Sequence, residues 1–307
     1  MSTTTKTAII IHGPTAVGKT AIAIAVAQQL GTAIISADSR QCYKGMAIGT
    51  AQPSQEELNA VHHYFINEYP VTTALSAADY ENLALGWLHD LFQGNDTAVV
   101  CGGTGLYIKA LCEGMDAMPA VNEQVLQVTE TDYAQHGLSW LQQAIEKEDA
   151  AFFKSGEIHN PSRLLRALIF IRSTGESILK YRTGIKKVRP FNIVKIGLEL
   201  PREALYARIN MRVDAMMAAG LLDEVRALYP YKDLKNLQTV GYTEMFDYLD
   251  AKCTLPEAID KIKQHSRNYA KRQMTWFKKD ADTIWLPADR PDTAQQIVDM
   301  ANRTQGK

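Results

Sequence analysis

Eight residues, Gly13-Pro14-Thr15-Ala16-Val17-Gly18-Lys19-Thr20, constrain this chain more than any others. They fit the pattern G-x-x-x-x-G-K-[S/T], a glycine loop whose backbone N–H groups turn inward around an oxyanion. The pattern requires a buried strand before it and a helix after it. The apolar runs Thr7–Ile11 and Ala21–Leu30 supply both. The new helix brings the positive end of its dipole to the loop. Lys19 can then reach a terminal phosphate, and the Thr20 hydroxyl can ligate Mg²⁺. The loop therefore predicts a bound phosphate or diphosphate, without saying whose. It also predicts the fold class: α/β, a P-loop NTPase-like core built on a parallel sheet.

At 307 residues the chain has room for one large domain with a sizeable insertion. The net charge of −1 excludes a globally basic nucleic-acid binder, so any such surface must come from local segregation of charge. Cys42, Cys101, Cys112 and Cys253 form no C-x-x-C pair, which argues against zinc and a disulfide framework and for a reducing, cytoplasmic setting. No apolar run reaches membrane-spanning length, and no membrane partner is expected. A monomer is expected.

A second apolar strand is expected at Thr32–Ser36, running into Ala37-Asp38-Ser39-Arg40-Gln41. Ligands of open α/β sheets sit outside the carboxyl ends of the strands. Asp38, Ser39 and Arg40 should therefore lie beside the glycine loop, where a carboxylate can act as a base or a Mg²⁺ partner. As a bare motif, the same Asp and Ser fit a helix N-cap equally well. The pair His62-His63 lacks a second ligand cluster and reads as structural. Ser76–Phe92 reads as a capped amphipathic helix. Thr97–Cys101 reads as a third strand, ending in Gly102-Gly103-Thr104-Gly105 at the same edge of the sheet.

Charge then segregates. Asp116–Ala150 carries seven acidic residues and one Lys, whereas Pro161–Pro190 carries eight basic residues and one Glu. Both stretches read as helical, an inserted all-helical subdomain at 116–189 within a core of 1–115 and 190–307. Phe191–Leu200 returns as a strand and Pro201–Ala219 as a helix, with Arg208 and Arg212 at i, i+4 on one face. Lys261–Lys279 carries seven basic residues and no acid. Ile259, Ile262, Ser266, Tyr269, Gln273 and Trp276 form one helical stripe, expected to dock on the core. Lys263, Arg267, Lys271 and Lys278 form another, expected to face a phosphate backbone. Asp282–Leu286 and Arg290–Lys307 complete the pattern as a strand and a helix.

A glycine loop of this kind suggests an ATP-dependent kinase first. Two features argue otherwise. The third strand ends in glycines, with no Asp for Mg²⁺, and a small-molecule kinase needs no long basic segments. A diphosphate ester fits better, the loop stabilising diphosphate as a leaving group. A non-catalytic RNA-binding switch is the reading from another class.

Seven blocks in order now carry a resemblance: Gly13–Thr20, Ile35–Gln41, Gly45–Ala51, Gly102–Tyr107, Asn160–Leu168, Val240–Tyr242 and Arg267–Phe277. Over nearly its whole length the chain resembles the bacterial tRNA dimethylallyltransferase family. The resemblance implies transfer of a dimethylallyl group from dimethylallyl diphosphate to N6 of the adenosine 3′ of the anticodon, in tRNAs reading codons that start with U. The base would be flipped out of its loop to be reached. The family's diphosphate site matches Gly13, Pro14, Thr15, Ala16, Val17, Gly18, Lys19 and Thr20, with Mg²⁺ on Thr20. Its catalytic set matches Asp38, which takes the adenine amine's proton, with Lys19, Thr20, Thr104 and Arg212. Its contacts to the tRNA anticodon stem-loop match Asp38, Ser39, Arg40, Gln41 and Thr104, Ser162, Arg163, Leu164, Leu165 and Arg166. They also match Gln238, Thr239, Val240, Gly241, Tyr242 and Thr243, and Ser266, Arg267, Asn268, Tyr269, Ala270, Lys271, Arg272 and Gln273. Many relatives carry an Arg early in the insertion, where Leu126 stands here.

Overall fold

A computed structural model describes residues 5–304. Its centre is β1 (Thr7–His12), with all six residues buried. Both neighbours, β4 (Thr97–Gly102) and β5 (Asn192–Glu199), run parallel to it, with Ile9 opposite Val99 on one side and Val194 on the other. A strand covered on both faces must be apolar continuously, and Ala-Ile-Ile-Ile meets that demand. With β2 (Ile34–Ser36), β3 (His63–Tyr64) and β6 (Ile284–Pro287) the sheet has six strands in the order β3-β2-β4-β1-β5-β6, all parallel.

Ile9, Ile11, Val99, Ile196 and Leu198 of the sheet pack with Ala23, Val26, Ala27, Ile209 and Ile297 into one core. The helices supplying that layer are α1 (Lys19–Leu30), α8 (Arg202–Ala218) and α12 (Thr293–Thr304). The end of the terminal helix expected up to Lys307 lies outside the described residues. Each fully buried Ile contributes about 1.5–3 kcal/mol. Helix α3 (Ala77–Gly94) starts at a capping box in which Ser76 and Asp79 exchange hydrogen bonds.

Two elements differ from expectation. The short edge strand β3, not among the expected strands, opens at His63, whose Nδ1 lies 2.8 Å from the Val61 carbonyl. Among the described residues no three His, Cys, Asp or Glu side chains gather as metal ligands. The second is the basic helix α11 (Leu255–Phe277). It packs against α4 (Gly105–Glu113), α8 and α10 (Tyr242–Leu249), so several neighbours share its buried face. That face is Ala258, Ile262, Ala270, Gln273 and Phe277. Tyr269 and Trp276 are exposed instead, at 37% and 41%. Lys263 pairs with Asp214 at 2.6 Å, Arg267 donates to Asn210 Oδ1 at 2.7 Å and Lys278 pairs with Glu199 at 2.8 Å, so three of the four cations of the expected outward stripe are committed.

The chain divides into two compact units, with Met115–Lys187 as the second. That unit holds α5 (Glu123–Glu148), α6 (Ala150–Lys154) and α7 (Pro161–Thr174) around Leu141, Ile145, Phe152, Leu164 and Leu168. Helix α5 breaks at Gly137, whose φ is 73°. The opposed charges of the two stretches meet inside the unit. Arg172 forks onto Glu148 at 2.9 and 2.7 Å, and Glu148 holds its guanidinium above the ordinary arginine range. Arg163 and Arg182 both pair with Glu157, and Lys180 with Glu176. Much of the basic run is thus neutralised at home.

Arg189, counted in that run, belongs to the first unit. It is buried against Glu81 at 2.8 Å and donates to the Ala110 and Leu111 carbonyls at 2.8 and 2.7 Å, satisfying carbonyls in the last turn of α4.

Candidate active site

Strand β1 sits where the sheet's connections diverge, with β4 on one side and β5 on the other. A crevice opens above the carboxyl end of such a strand. The glycine loop occupies it, entering α1 through Gly18 at φ 105°, a conformation that costs other residues dearly. Lys19 folds back and donates to the Pro14 carbonyl at 2.8 Å. Arg208 of α8 donates to the Val17 carbonyl at 3.3 Å. The Thr15 amide is occupied, donating to Gln273 Oε1 at 2.8 Å. The first-turn amides of α1 have no intrahelical acceptors and point their charge into the crevice.

Strand β2 delivers Asp38 to the same crevice. Asp38 Oδ1 accepts from the Arg40 amide at 2.9 Å and the Gln41 amide at 3.3 Å, a local turn that fixes the carboxylate and leaves Oδ2 for the cleft. Thr104 Oγ accepts from the Ser39 amide at 3.0 Å, and the Thr104 amide donates to the Ala37 carbonyl at 3.0 Å. Thr104 therefore supports the Asp38 turn. Gln41 holds the next loop, donating from Nε2 to the Thr50 and Ala51 carbonyls at 3.2 and 2.8 Å.

Two hollows share the walls Thr15, Ala16, Asp38, Thr50, Arg212 and Tyr269. The larger, about 430 Å³, is polar where the loop enters, with Gly18, Lys19, Thr20 and Arg208. The smaller, about 120 Å³, has walls of Ile209, Val213, Met216 and Ile262, and its rim carries Thr239, Val240, Gly241 and Ser266. Lys19 and Arg208 line only the loop hollow, Asp38 and Arg212 line both, and the smaller hollow adds an apolar wall with Arg40 beside it. Burial pushes the Lys19 ammonium down to about 8; the neighbouring Arg212 lowers it further, and Asp38 opposes the shift. Burial likewise lowers Arg212, again opposed by Asp38.

The expected nucleic-acid contacts divide. Ser162, Arg163, Arg166, Gln238, Asn268, Tyr269, Lys271 and Arg272 are exposed. Leu164, Tyr242, Ala270 and Gln273 turn their side chains into the interior. Gln273 is committed at both ends, since its Nε2 donates to the Gly103 carbonyl at 2.9 Å. Glu224 escaped the sequence reading. It accepts from the Ile48 and Gly49 amides, each at 2.8 Å, and from the Tyr242 hydroxyl at 2.6 Å, holding the Gly45–Ala51 loop that walls both hollows. No local motif marks it, because the two loop amides that it accepts are 176 and 175 residues away.

A divalent cation fits the donor chemistry. The Thr20 hydroxyl and the Asp38 carboxylate line one hollow, and Mg²⁺ takes one or two protein oxygens beside substrate phosphates and waters.

Comparison with known proteins shows the family. A family profile described as IPP transferase matches residues 41–280. The chain is 45% identical over 296 residues to tRNA dimethylallyltransferase 1 of Phocaeicola vulgatus, covering 96% of this chain and 99% of the relative. The crystal structure of the tRNA isopentenylpyrophosphate transferase from Bacillus halodurans matches with a TM-score of 0.71 and 36% identity, over 98% and 96% of the two chains. A eukaryotic dimethylallyltransferase acting on tRNA, 24% identical, shares the fold at a TM-score of 0.78, over 97% of this chain and 79% of its own. Matched by the family profile over most of its length and by relatives along nearly their whole chains, the chain belongs to the IPP transferase family.

Proposed function

We infer that this chain is a tRNA dimethylallyltransferase, transferring a dimethylallyl group from dimethylallyl diphosphate to N6 of the adenosine 3′ of the anticodon, as a cytoplasmic monomer. The observation that carries the reading is the arrangement of groups along the crevice: the glycine loop with Lys19 in one hollow, Asp38 in both, and an apolar wall in the other. Strand β4 supports it. Beside β1, where a nucleotide hydrolase places a carboxylate for Mg²⁺, β4 ends in Cys101-Gly102. The crevice favours diphosphate as a leaving group over phosphoryl transfer.

The diphosphate lies against the first-turn amides of α1, with Lys19 and Arg212 closing on it. Lys19 then exchanges its internal Pro14 carbonyl for phosphate oxygen. The Thr20 hydroxyl would hold Mg²⁺, which would supply further positive charge at the diphosphate. The adenine enters from the Thr239–Gly241 side, with N6 toward Asp38 Oδ2. The N6 lone pair forms the new bond to C1 of the prenyl chain. The C1–O bond breaks, and its electrons pass to the bridging oxygen of the departing diphosphate. The N6 proton moves to Asp38. Lys19, Arg212 and the loop amides neutralise charge as it develops on that oxygen, the condition for electrostatic catalysis of departure.

The test mixes protein, Mg²⁺, radiolabelled dimethylallyl diphosphate and unmodified tRNA carrying adenosine 3′ of the anticodon. Label in that adenosine is expected. No label in tRNA, or ATP turnover with a small metabolite in its place, would overturn the reading. Among the described residues no helix is long and apolar enough to cross a membrane.

A further inference from the structure

Helix α11 lines the cleft with Ser266 and Tyr269, and its surface continues out of the cleft beyond them. Tyr269, Arg272 and Trp276 stand at i, i+3 and i+7, so they form one row along the helix. Tyr269 walls both hollows. The Arg272 guanidinium lies over the Tyr269 ring, 5.7 Å from its centroid. Trp276 ends the row about 10 Å further along the axis.

Trp276 is an unusual surface residue. It is 41% exposed, although indoles are mostly buried. Its pyrrole edge rests on Gly105 at the start of α4, where a Cβ would come within 2.3 Å of Cδ1 and Nε1. Only a residue without a side chain lets the indole lie so flat, so the ring is seated and not merely loose. Among the described residues Nε1–H has no hydrogen-bond acceptor. Next to Gly105 on α4, Leu106 is 43% exposed, and Lys109, one turn further, is exposed. Arg272 and Lys279 are exposed on the α11 side. A fixed, half-exposed aromatic flanked by cations fits an unpaired nucleobase and its phosphates.

We propose that Trp276, with Leu106 of α4, is a stacking platform for the loop nucleotide adjacent to the adenosine that enters the cleft, and that Arg272 and Lys109 hold its phosphates. The proposal rests on the chain acting on a tRNA loop. The stack makes flipping easier: the neighbour of the flipped base loses one stacking partner in the RNA and gains another from the protein. The cleft then receives an adenosine whose neighbour is already held.

The test uses anticodon stem-loops carrying 2-aminopurine at the nucleotide 5′ or 3′ of the target adenosine. They are titrated with full-length protein in Mg²⁺ and inorganic diphosphate. One position is expected to show a fluorescence change on binding to the wild type. Trp276→Ala should abolish that change and raise the stem-loop Kd about tenfold. Trp276→Phe should retain most of both. Leu106→Ser, at an exposed position, should weaken the fluorescence change while leaving the indole seated; it serves where Trp276→Ala fails to fold. An abasic nucleotide at the responding position should cost the wild type about tenfold and Trp276→Ala nothing. Responses in Trp276→Ala equal to wild type at both positions, or a Kd within twofold, overturn the platform. So does an abasic site that costs both proteins equally. The same wild-type preparation is assayed for prenylation of the stem-loop. Absence of product sinks the function itself, whereas product with unmoved fluorescence sinks only the platform.

Discussion

Gln273 and Thr15 are joined by one hydrogen bond, 2.8 Å from the loop amide to the glutamine oxygen, across 258 positions of sequence. The same side chain donates to the Gly103 carbonyl at 2.9 Å. One buried amide therefore sets the spacing between the glycine loop of β1 and the glycine loop of β4. Gln273→Ala leaves a buried donor and a buried acceptor unpaired, which costs about 3 kcal/mol. Gln273→Glu should be no milder, because its oxygen would face the Gly103 carbonyl. Urea unfolding checks the stability, and a raised KM for the prenyl diphosphate checks the spacing.

Asp38→Asn separates position from chemistry. Asn keeps an oxygen to accept the Arg40 and Gln41 amides, so the turn survives. The proton acceptor is gone. The single-turnover rate should fall about 10²–10⁴-fold while tRNA affinity stays within a few-fold. A rate within threefold of wild type would remove Asp38 from the proton transfer.

Lys19 should link pH to diphosphate binding. Its buried ammonium titrates near 8, below the ordinary lysine value. Inorganic diphosphate should therefore bind progressively more weakly as pH rises through 8, and binding above that pH should take up a proton. Calorimetry in two buffers of different ionisation enthalpy measures that uptake. Folding stability should move the other way. Below pH 8 the folded state carries the cost of a buried charge, and the cost is relieved between 8 and 10.5 as the folded group loses its proton. Lys19→Met should accordingly leave ligand-free stability at pH 7 unchanged or higher while abolishing diphosphate binding.

Glu224 holds three donors from two segments. Glu224→Gln places an N–H₂ against donors and should cost about 2 kcal/mol. The Thr50 wall of both hollows would loosen, so KM should rise for tRNA and for the prenyl diphosphate together. An effect on only one substrate would contradict a loop that walls both hollows.

His12 sets an acid limit. It is 1% exposed, stacked near Phe277 at 4.3 Å, bonded by Nε2 to Thr283 Oγ at 3.2 Å, and its Nδ1 has no partner. Burial pushes it down to about 4. As pH falls from 6.5 toward 4 the unfolded chain takes a proton that the folded chain refuses, and stability is lost by up to about 3 kcal/mol. His12→Phe should flatten that part of the urea-unfolding profile.

What the sequence disclosed followed the range of the interactions. Strand β1, its loop and α1 are contiguous, so glycine spacing and an apolar run were enough to place them. Asp38 was legible because a strand's carboxyl end points to the crevice wherever the strand lies in a parallel sheet. Glu224 and the inward turn of Gln273 depend on partners far along the chain, and no local pattern encodes those. Strand β3 is two residues long, too short to show alternation. The face of α11 was misjudged because a stripe drawn at 100° assumes one neighbour, and three helices surround this one. The basic run of the insertion likewise seemed free for RNA until Arg172, Arg163 and Lys180 met carboxylates within their own unit.

The Arg189–Glu81 pair has a consequence for how such a protein can change. Arg189 touches the carbonyls of Ala110 and Leu111, so the chain leaves the first unit near Gly114 and returns within a few residues of the same spot. To the sheet, everything from Met115 to Lys187 is one long loop with its ends already tied. Closure entropy grows only with the logarithm of loop length, about 0.6 kcal/mol per doubling. The excursion can therefore lengthen, shorten or be exchanged at little thermodynamic expense to the unit that holds the sheet and the crevice.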